Sequence, residues 1–359
     1  MHAIVPPYLL DRIAASDEPH LARAAGAAKA TLATPRPTVA RAARLQRVTL
    51  DLSVDGGALV AQANPAPDRT VYDATHTQNL PGTKVRGEDD PAVGDATVNE
   101  AFDGLGDTHR FYWGAYRRDS IDGTGEALLA TVHYGEDYDN AFWNGEQMVF
   151  GDGDGQVFAG FTGSLSVIAH ELTHGITQAS GGLDYRDQPG ALNESISDVF
   201  GVLAEQYAQG QTAERASWLV GAGIFTARVK GRALRSLKAP GTAYDDPVLG
   251  KDPQPATMGG YVDTADDNGG VHINSGIPNH AFYLAATAIG GNAWERAGLV
   301  WYKTLTAGSL APSTTFAEFA AATTATAVAE YGEDSKEADA IRSAWTTVGV
   351  ISANVPAYG

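Results

Sequence analysis

Residues 164–180 read SLSVIAHELTHGITQAS, and two glycines follow them. Apolar residues recur at the three- and four-residue spacing of an α-helix, which predicts a helix with Ser164 as its N-cap and Gly181-Gly182 as its stop. His170 and His174 lie on one side of this helix. The opposite side carries the apolar residues Leu165, Ile168, Ala169, Leu172 and Ile176. The sequence therefore predicts a helix that buries one face and uses the other for chemistry.

Within this helix, residues 170–174 (HELTH) match the pattern H-E-x-x-H. The four-residue spacing stacks two imidazoles about one helical turn apart, so both can bind one Zn²⁺ at about 2.0 Å. Glu171 points beside such a metal and not at it. A surface helix with two solvated histidines is the alternative. It fits poorly, because apolar residues lead directly into the motif and no Lys or Arg occurs between Arg118 and Arg186.

A third protein ligand is needed if a tetrahedral Zn²⁺ is to keep one position for water. The next predicted helix contains residues 193–198 (NESISD), in which Glu194 and Asp198 lie one turn apart on the same face. Two acids at this spacing repel by about 0.2–0.5 kcal/mol on an isolated helix. A nearby cation would remove that penalty. We therefore assign Glu194 as the third ligand and Asp198 as the acceptor that orients a ligating histidine, with a solvated acidic edge as the alternative.

The composition excludes several classes of function. Twenty-five Lys plus Arg against 43 Asp plus Glu give a net charge of -18, which works against binding of nucleic acid or anionic lipid. Cysteine is absent, so any metal must be bound by carboxylates and by the nine histidines. No apolar run reaches the roughly 18 residues of a membrane span. Pro6, Pro7 and Asp11 interrupt the N-terminal apolar stretch, so no cleavable signal peptide is visible, and we expect a cytoplasmic protein or non-classical export.

The chain divides into three regions by its sequence patterns. Residues 1–60 include an Ala/Arg-rich stretch and a β-hairpin signal at Asp55-Gly56-Gly57. Residues 61–183 carry mostly strand and turn signals before the HELTH helix, which predicts an antiparallel sheet. Residues 184–359 follow mainly the helical period. The predicted fold class is α+β.

Three further elements accompany the HELTH motif, in an order typical of one protein family. They are NAFWNG at residues 140–145, the Asn-Glu-x-x-Ser-Asp element at residues 193–198, and DNGGVHINSG at residues 267–276. With these elements, residues 70–357 resemble the thermolysin family of zinc metalloendopeptidases. The resemblance implies a two-domain zincin in which the HELTH helix joins a β-rich domain to a helical one. It also implies one catalytic Zn²⁺ on His170, His174 and Glu194, with Glu171 as the general base of peptide hydrolysis.

The resemblance also implies roles for residues around the metal. Asp198 should accept a hydrogen bond from His170, and Asn193 should support His174. Tyr185 and His272 should be catalytic donors to the developing oxyanion, with Asp267 orienting His272.

Substrate binding is likewise implied by the resemblance. Asn140 and Ala141 should pair with the substrate backbone, and Arg235 should bind a substrate carbonyl. A pocket that accepts bulky apolar residues on the P1′ side should be lined by Phe158, Phe161, Val167 and Leu234. Val167 has independent support, because it lies three and seven residues before the two histidines and therefore on their face.

The N-terminal sequence VPPYLLDRIA is similar to the short pro-segment of the protealysin-type branch of this family. Its Pro-Pro-x-x-Leu element would be carried by Pro6, Pro7 and Leu10 or Leu9. The resemblance implies that residues 1–60 cover the cleft as an intramolecular inhibitor and are removed by autoprocessing. A frayed tail is the alternative. A dedicated protein inhibitor is a further partner that the family suggests.

Calcium is the point at which this chain departs from the family. Members with a double calcium site use an Asp where this chain has Ser166, and of the later acidic cluster only Glu205 remains. We therefore expect no double calcium site, although the net charge permits weaker cation binding. The acidic run at residues 152–155 (DGDG) lacks the other ligands of an EF-hand and predicts a solvated turn.

Two other functions compete with an endopeptidase. A catalytically degenerate module that binds metal or inhibits a protease should have lost Glu171, His272 or a ligand, and this chain retains them all. An aminopeptidase would need an anchor for the substrate amine, whereas the Asn140-Ala141 edge favours internal segments of a peptide.

Overall fold

The computed structural model describes residues 3–35, 37, 50–55, 58–63 and 65–352. The chain begins with two helices, α1 (Pro7–Ala14) and α2 (Ala22–Ala33). Strands β1 (Leu50–Asp55) and β2 (Ala58–Ala63) then pair as an antiparallel hairpin. The strands of the predicted hairpin are thus confirmed.

Part of the predicted pro-segment cannot be compared with the structure. Its turn at residues 56–57 and residues 38–49, which include the end of the Ala/Arg-rich stretch, lie outside the described residues. The boundary at residue 60 falls inside β2. Where the pro-segment ends therefore stays a prediction.

A five-stranded sheet forms the centre of the N-terminal domain. Its strands are β3 (Arg69–Asp73), β4 (Thr83–Gly87), β5 (Leu128–Val132), β6 (Ala141–Trp143) and β7 (Met148–Phe150). They lie in the order β4-β3-β5-β7-β6. Strand β5 runs parallel to both β3 and β7, whereas β4 and β6 pair antiparallel at the edges. The predicted antiparallel sheet is therefore wrong, because parallel pairs need crossover connections that the strand signals did not reveal.

One of these crossovers is a 21-residue helix, α3 (Ala96–Tyr116), which the strand-rich interpretation missed. It begins at Asp95, whose carboxylate accepts the backbone N–H groups of the first turn. Its glycines obscured the helical pattern. A Cβ on Gly104 would lie 2.3 Å from a methyl carbon of Ile168, so glycine allows α3 to pack closely against the HELTH helix.

The HELTH helix, α4 (Leu165–Ala179), begins and ends where the sequence predicts. Ser164 occupies the N-cap position, but its hydroxyl lies 3.0 Å from the hydroxyl of Ser166 and caps no backbone group. The helix packs against α3 and β6 and, across the domain boundary, against α5 (Asp187–Gln209). As a result, the histidine face and the apolar stripe from Ile168 to Ile176 are both buried, while Leu165 at the start of the helix is half-buried.

The C-terminal domain is mainly helical. Two-residue strands form the ladders β8 (Leu219–Val220) with β9 (Arg235–Ser236) and β10 (Asp245–Asp246) with β11 (Gly250–Lys251). The remaining helices are α6 (Asp267–Asn274), α7 (Gly276–Ile289), α8 (Ala297–Thr306), α9 (Phe316–Tyr331) and α10 (Lys336–Thr347). The helical character predicted for residues 184–359 is confirmed, and so is the α+β class. Among the described residues, no helix has both the length and the apolar character needed to cross a membrane.

Candidate metal centre

Three buried side chains from α4 and α5 converge at the junction of the two domains. His170 Nε2 and His174 Nε2 lie 3.0 Å apart, and the Glu194 carboxylate oxygens lie 3.5 Å from each of them. In a tetrahedral Zn²⁺ site with bonds of 2.0–2.1 Å, ligand atoms are about 3.3–3.4 Å apart. The donor types and their spacing therefore fit one Zn²⁺. We call this group the helical centre.

Side chains of α5 orient both imidazoles of the helical centre. His170 Nδ1 lies 2.9 Å from the Asp198 carboxylate, and His174 Nδ1 lies 2.9 Å from Asn193 Oδ1. Ser197 Oγ lies 3.0 Å from the same His174 nitrogen. A proton on each Nδ1 leaves Nε2 free to bind a cation. Ser197 was missed by the sequence analysis, although its place four residues after Asn193 puts it on the same helical face.

Asp198 is itself held by a buried network. Arg235 donates two hydrogen bonds of 2.8 Å to its carboxylate, and Asn279 donates one of 2.9 Å. Burial raises the pKa of Asp198, but the charges of Arg235 and His170 outweigh it, so the pKa lies below its usual range. Asp198 therefore stays charged. Asn279 lies far from Asp198 in the sequence, and no local pattern could have predicted it.

The electrostatics of the helical centre favour a positive charge at the imidazoles. Burial lowers the pKa of His170, but Asp198 and Glu194 together raise it to about 9. A bound cation would take the place of that proton. Two rings and a carboxylate packed this closely in a dry interior would otherwise need another compensating charge.

Glu171 lies beside the helical centre and is not part of it. Its side chain is fully buried, and its oxygens make no hydrogen bond of normal geometry to a described residue. Burial raises the pKa of Glu171 to about 8, although the charge of His170 lowers it. A buried carboxylate with a raised pKa is suited to accepting a proton.

Two further groups approach from the C-terminal domain. The Tyr185 hydroxyl donates to Glu194 and lies 3.3 Å from His272 Nε2. His272 Nδ1 lies 2.7 Å from Asp267, in a turn whose residues 267–270 all have positive φ angles. Burial lowers the pKa of His272, but Asp267 and Glu194 raise it above the usual range. The structure thus brings both predicted oxyanion donors to the helical centre.

The N-terminal residues of the chain lie in the cleft beside this centre. The Ile4 N–H donates to the Ala141 carbonyl at 3.1 Å, so Ile4 lies alongside the edge strand β6. The Val5 N–H donates to Asn140 Oδ1 at 2.9 Å, and Asn140 Nδ2 donates to the Val5 carbonyl at 3.0 Å. The residues predicted to pair with a substrate backbone therefore bind the backbone of the chain's own N-terminus.

Two further side chains complete these contacts. His272 Nε2 lies 2.9 Å from the Ala3 carbonyl, and Arg235 Nη1 donates to the Ile4 carbonyl at 2.9 Å. Ile4 is buried in the same apolar cluster as the predicted pocket residues Phe158, Phe161, Val167 and Leu234. The contacts with the cleft thus come from residues 3–5, which precede the Pro-Pro element. The Pro-Pro element itself begins α1, in which Leu9 and Leu10 are buried.

Comparisons with known proteins identify the family. Residues 41–178 match the family model described as the thermolysin metallopeptidase catalytic domain, and residues 181–350 match the thermolysin metallopeptidase alpha-helical domain. The chain belongs to the thermolysin metallopeptidase family. It is therefore a hydrolase that acts on peptide bonds, and its family is zinc-dependent.

Relatives within the thermolysin family agree with this membership. The chain is 53% identical over 283 residues to the extracellular metalloprotease of Pectobacterium carotovorum subsp. carotovorum, covering 79% of this chain and 81% of that protein. It is 50% identical to protease PrtS of Photorhabdus sp. (strain Az29), covering 79% and 76%. Thermolysin of Alicyclobacillus acidocaldarius subsp. acidocaldarius is 38% identical, and the match spans 50% of its length.

A solved structure extends the similarity to the N-terminal segment. The precursor of protealysin, a metalloproteinase from Serratia proteamaculans, matches with a TM-score of 0.86 and 46% sequence identity. The match covers 98% of this chain and 100% of that one. The similarity to this precursor thus spans nearly the whole chain, including the N-terminal helices.

The positions at which calcium was considered have partners within the chain. Ser166 is buried, and its hydroxyl accepts the Gly221 N–H at 3.1 Å. Asp154 is also fully buried and accepts the Val157 N–H at 2.7 Å. The predicted solvated turn at residues 152–155 is therefore wrong for Asp154, because its carboxylate organises the backbone that follows the sheet.

Proposed function

We propose that this chain is a zinc endopeptidase whose N-terminal residues bind its own cleft in the manner of a substrate. One observation carries the proposal. Each group expected to bind a substrate backbone forms a polar contact with residues 3–5. An enzyme that binds internal segments of a peptide needs such backbone contacts along an edge strand.

The helical centre supports the catalytic part of this proposal. His170, His174 and Glu194 would hold the metal, which supplies Lewis acidity and lowers the pKa of a bound water toward about 7. Glu171 accepts a proton from the attacking water and delivers it to the leaving amine. Its burial and raised pKa support this role.

Tyr185 and His272 are suited to stabilising the negative charge that develops on the substrate carbonyl oxygen. Both lie within a few ångströms of Glu194, at the side of the cleft where the Ala3 carbonyl lies. His272 has a carboxylate, Asp267, behind it, which keeps a proton available for donation. Losing one donor of this kind raises a reaction barrier by about 2.7–4 kcal/mol.

Specificity should come from the apolar wall of the cleft. Phe158, Phe161, Val167 and Leu234 are all buried, and the rings of Phe158 and Phe161 lie 5.5 Å apart. A pocket with this lining excludes charged side chains because they would lose their hydration without a partner. We therefore expect cleavage before bulky hydrophobic residues.

Latency follows from the anchoring of the N-terminal segment. Besides residues 3–5, Arg12 donates to the Leu249 carbonyl at 3.0 Å, and Arg23 forms a two-hydrogen-bond ion pair with Asp137. These contacts support residues 1–60 as an inhibitory pro-segment, with catalytic domains at residues 61–183 and 184–359. The cut that removes the segment should fall between α2 and β3.

Three finer points belong to the same proposal. We expect no double calcium site, since Ser166 supplies only a hydroxyl that is already hydrogen-bonded. An extracellular site of action is supported by relatives that are named extracellular metalloproteases. A protein inhibitor acting from another chain stays a prediction.

A peptide library tests the proposal directly. The purified full chain should lose the mass of its N-terminal segment and then cut peptides before bulky apolar residues. A zinc chelator should stop both events, and added Zn²⁺ should restore them. Cutting that continues without zinc would contradict the metal-dependent mechanism, and removal of single N-terminal residues would favour the aminopeptidase alternative.

A further inference from the structure

The carboxyl ends of three neighbouring parallel strands bring another set of ligand-type side chains together. His76, His133 and Asp152 follow the last residues of β3, β5 and β7 by three residues or fewer. Such positions meet at one edge of a sheet, where α/β proteins commonly bind ligands. None of the three contributes to the helical centre or to the contacts with residues 3–5. We call them the strand-end cluster.

The geometry of the strand-end cluster suits a single cation. His133 Nδ1 lies 2.9 Å from both oxygens of Asp152, and His76 Nδ1 lies 3.4 Å from one of them. One ligand atom from each residue can be chosen so that all lie within 4.8 Å of one another. The three side chains line a cavity of about 430 Å³, so a cation could keep water as a further ligand.

A second, independent observation concerns the other nitrogen of His133. Its Nε2 lies 2.9 Å from the carboxylate of Asp95, the residue that also caps α3. Histidines that bind metals usually donate their second ring N–H to a carboxylate in this way, which fixes the tautomer and raises the basicity of the ligating nitrogen. The relation of Asp95 to His133 thus repeats that of Asp198 to His170.

Both histidines of the strand-end cluster also have an unusual backbone conformation. His76 and His133 have φ angles of 57° and 53°, in the left-handed region that few residues other than glycine adopt. The His76 N–H donates to the His133 carbonyl at 2.9 Å, which holds the two strand ends together. Unusual backbone conformations of this kind cluster at ligand sites.

We propose that His76, His133 and Asp152 bind a second Zn²⁺, separate from the one at the helical centre. Two imidazoles and one carboxylate are the donor set that a borderline cation such as Zn²⁺ prefers over Ca²⁺. Without a metal, a protonated His133 between Asp95 and Asp152 would offset only one of the two negative charges, whereas a divalent cation offsets both. His76 is 60% exposed, so the ion can enter from solvent.

The bound ion would stabilise the fold around the active site. It would join the ends of three strands beside residues 159–163, which line the same cavity and lead into α4. Because only the folded chain assembles the cluster, stability should rise with the concentration of free Zn²⁺.

Zinc stoichiometry tests this inference on full chains that carry Glu171→Gln, which prevents self-digestion. Metal-free protein is titrated with ZnCl₂ by calorimetry, and the loaded protein is analysed for zinc after gel filtration. The matched variants are His76→Gln and Asp152→Asn in the cluster and His20→Gln as the control. His20 is another exposed histidine near a carboxylate, at 3.8 Å from Glu18, but among the described residues it belongs to no group of metal-ligand side chains.

The expected result is one zinc fewer per chain in His76→Gln and Asp152→Asn than in their parent or in His20→Gln. Asp95→Asn keeps an N-cap and should weaken the second site about 10–100-fold. The zinc-dependent rise in melting temperature should also shrink in the cluster variants. Equal stoichiometry in parent and cluster variants would overturn the inference, as would a second site that takes Ca²⁺ and not Zn²⁺. A parent with one zinc and a His76→Gln variant with none would support this inference while contradicting the helical centre.

Discussion

The helical centre and the strand-end cluster present the same donor types in opposite surroundings. All three side chains of the helical centre are fully buried, whereas His76 in the strand-end cluster is 60% exposed. The carboxylates that orient the histidines of the two centres also differ in their surroundings. Asp198 is bonded by Arg235 and Asn279, whereas Asp95 faces solvent with a side chain 42% exposed.

This difference shows that the donor set alone does not make a reaction centre. The helical centre has Glu171 as a buried proton acceptor, Tyr185 and His272 as donors, and a cleft that holds a peptide backbone. In the described part of the chain, the strand-end cluster lacks a comparable set of groups around it. We therefore expect chemistry at the first and stabilisation at the second.

The sharpest test of this contrast is Glu171→Gln, which removes the proton acceptor and leaves both metal sites intact. Loss of a general base typically lowers the rate about 10²–10⁴-fold, and here both proton transfers depend on the same side chain. Peptide hydrolysis by the variant should therefore fall at least that far, with the zinc content unchanged by elemental analysis. Near-normal hydrolysis would show that the helical centre works in another way.

Arg235→Met and Asp95→Asn compare how much the stability of the chain depends on the carboxylate that orients a histidine in each centre. Removing Arg235 leaves the Asp198 charge buried without its main partner, which should cost about 3–5 kcal/mol of unfolding free energy. Asp95→Asn alters a partly exposed residue and keeps an N-cap, so it should cost no more than about 1 kcal/mol in metal-free protein. Urea unfolding of both variants in the Glu171→Gln background measures the difference. Equal losses of unfolding free energy would show that the buried carboxylate Asp198 and the partly exposed carboxylate Asp95 contribute alike to stability.

Tyr185→Phe examines whether the helical centre stabilises charge through more than its metal. The hydroxyl is a donor within reach of Glu194 and His272, and its loss should lower kcat about 10²–10³-fold. KM and zinc content should change little, because the ring and the ligands remain. Steady-state kinetics of the processed enzyme provide the measurement. A fall of less than tenfold would assign Tyr185 a packing role.

Glu205→Gln probes a third setting, a carboxylate on α5 that faces no imidazole among the described residues. Burial raises the pKa of Glu205, while hydrogen bonds from Ser166 and Gln209 lower it only partly. The folded chain thus holds this proton more tightly than the unfolded chain, so Glu205 favours folding at low pH and loses that contribution as pH rises through its folded pKa.

The Gln variant should therefore gain stability relative to the parent as pH increases from about 4 to 8, by less than about 1 kcal/mol. Thermal unfolding at several pH values measures the gain. A difference that does not vary with pH would contradict the assignment. Stabilisation of the parent alone by Ca²⁺ would instead show that Glu205 still binds that ion.

The sequence predicted the helical centre because its ligands follow local spacing. His170 and His174 lie four residues apart, and Asp198 lies four residues after Glu194, so one helical period places each pair on one face. The mixed sheet and α3 were not predicted, because strand order and close packing at Gly104 depend on contacts between distant residues. The strand-end cluster shares this dependence. His76, His133 and Asp152 come together only through the order of β3, β5 and β7, and Asn279 reaches Asp198 only through tertiary packing.

The position of residues 3–5 has a kinetic consequence for activation. With the cut proposed above, after α2, a cleft that holds the chain's own N-terminal tip has no room for that bond. The first cuts are then expected from molecules whose tip has left the cleft, and each released enzyme would attack its neighbours. Maturation should show a lag followed by acceleration, and the lag should shorten as the protein concentration increases.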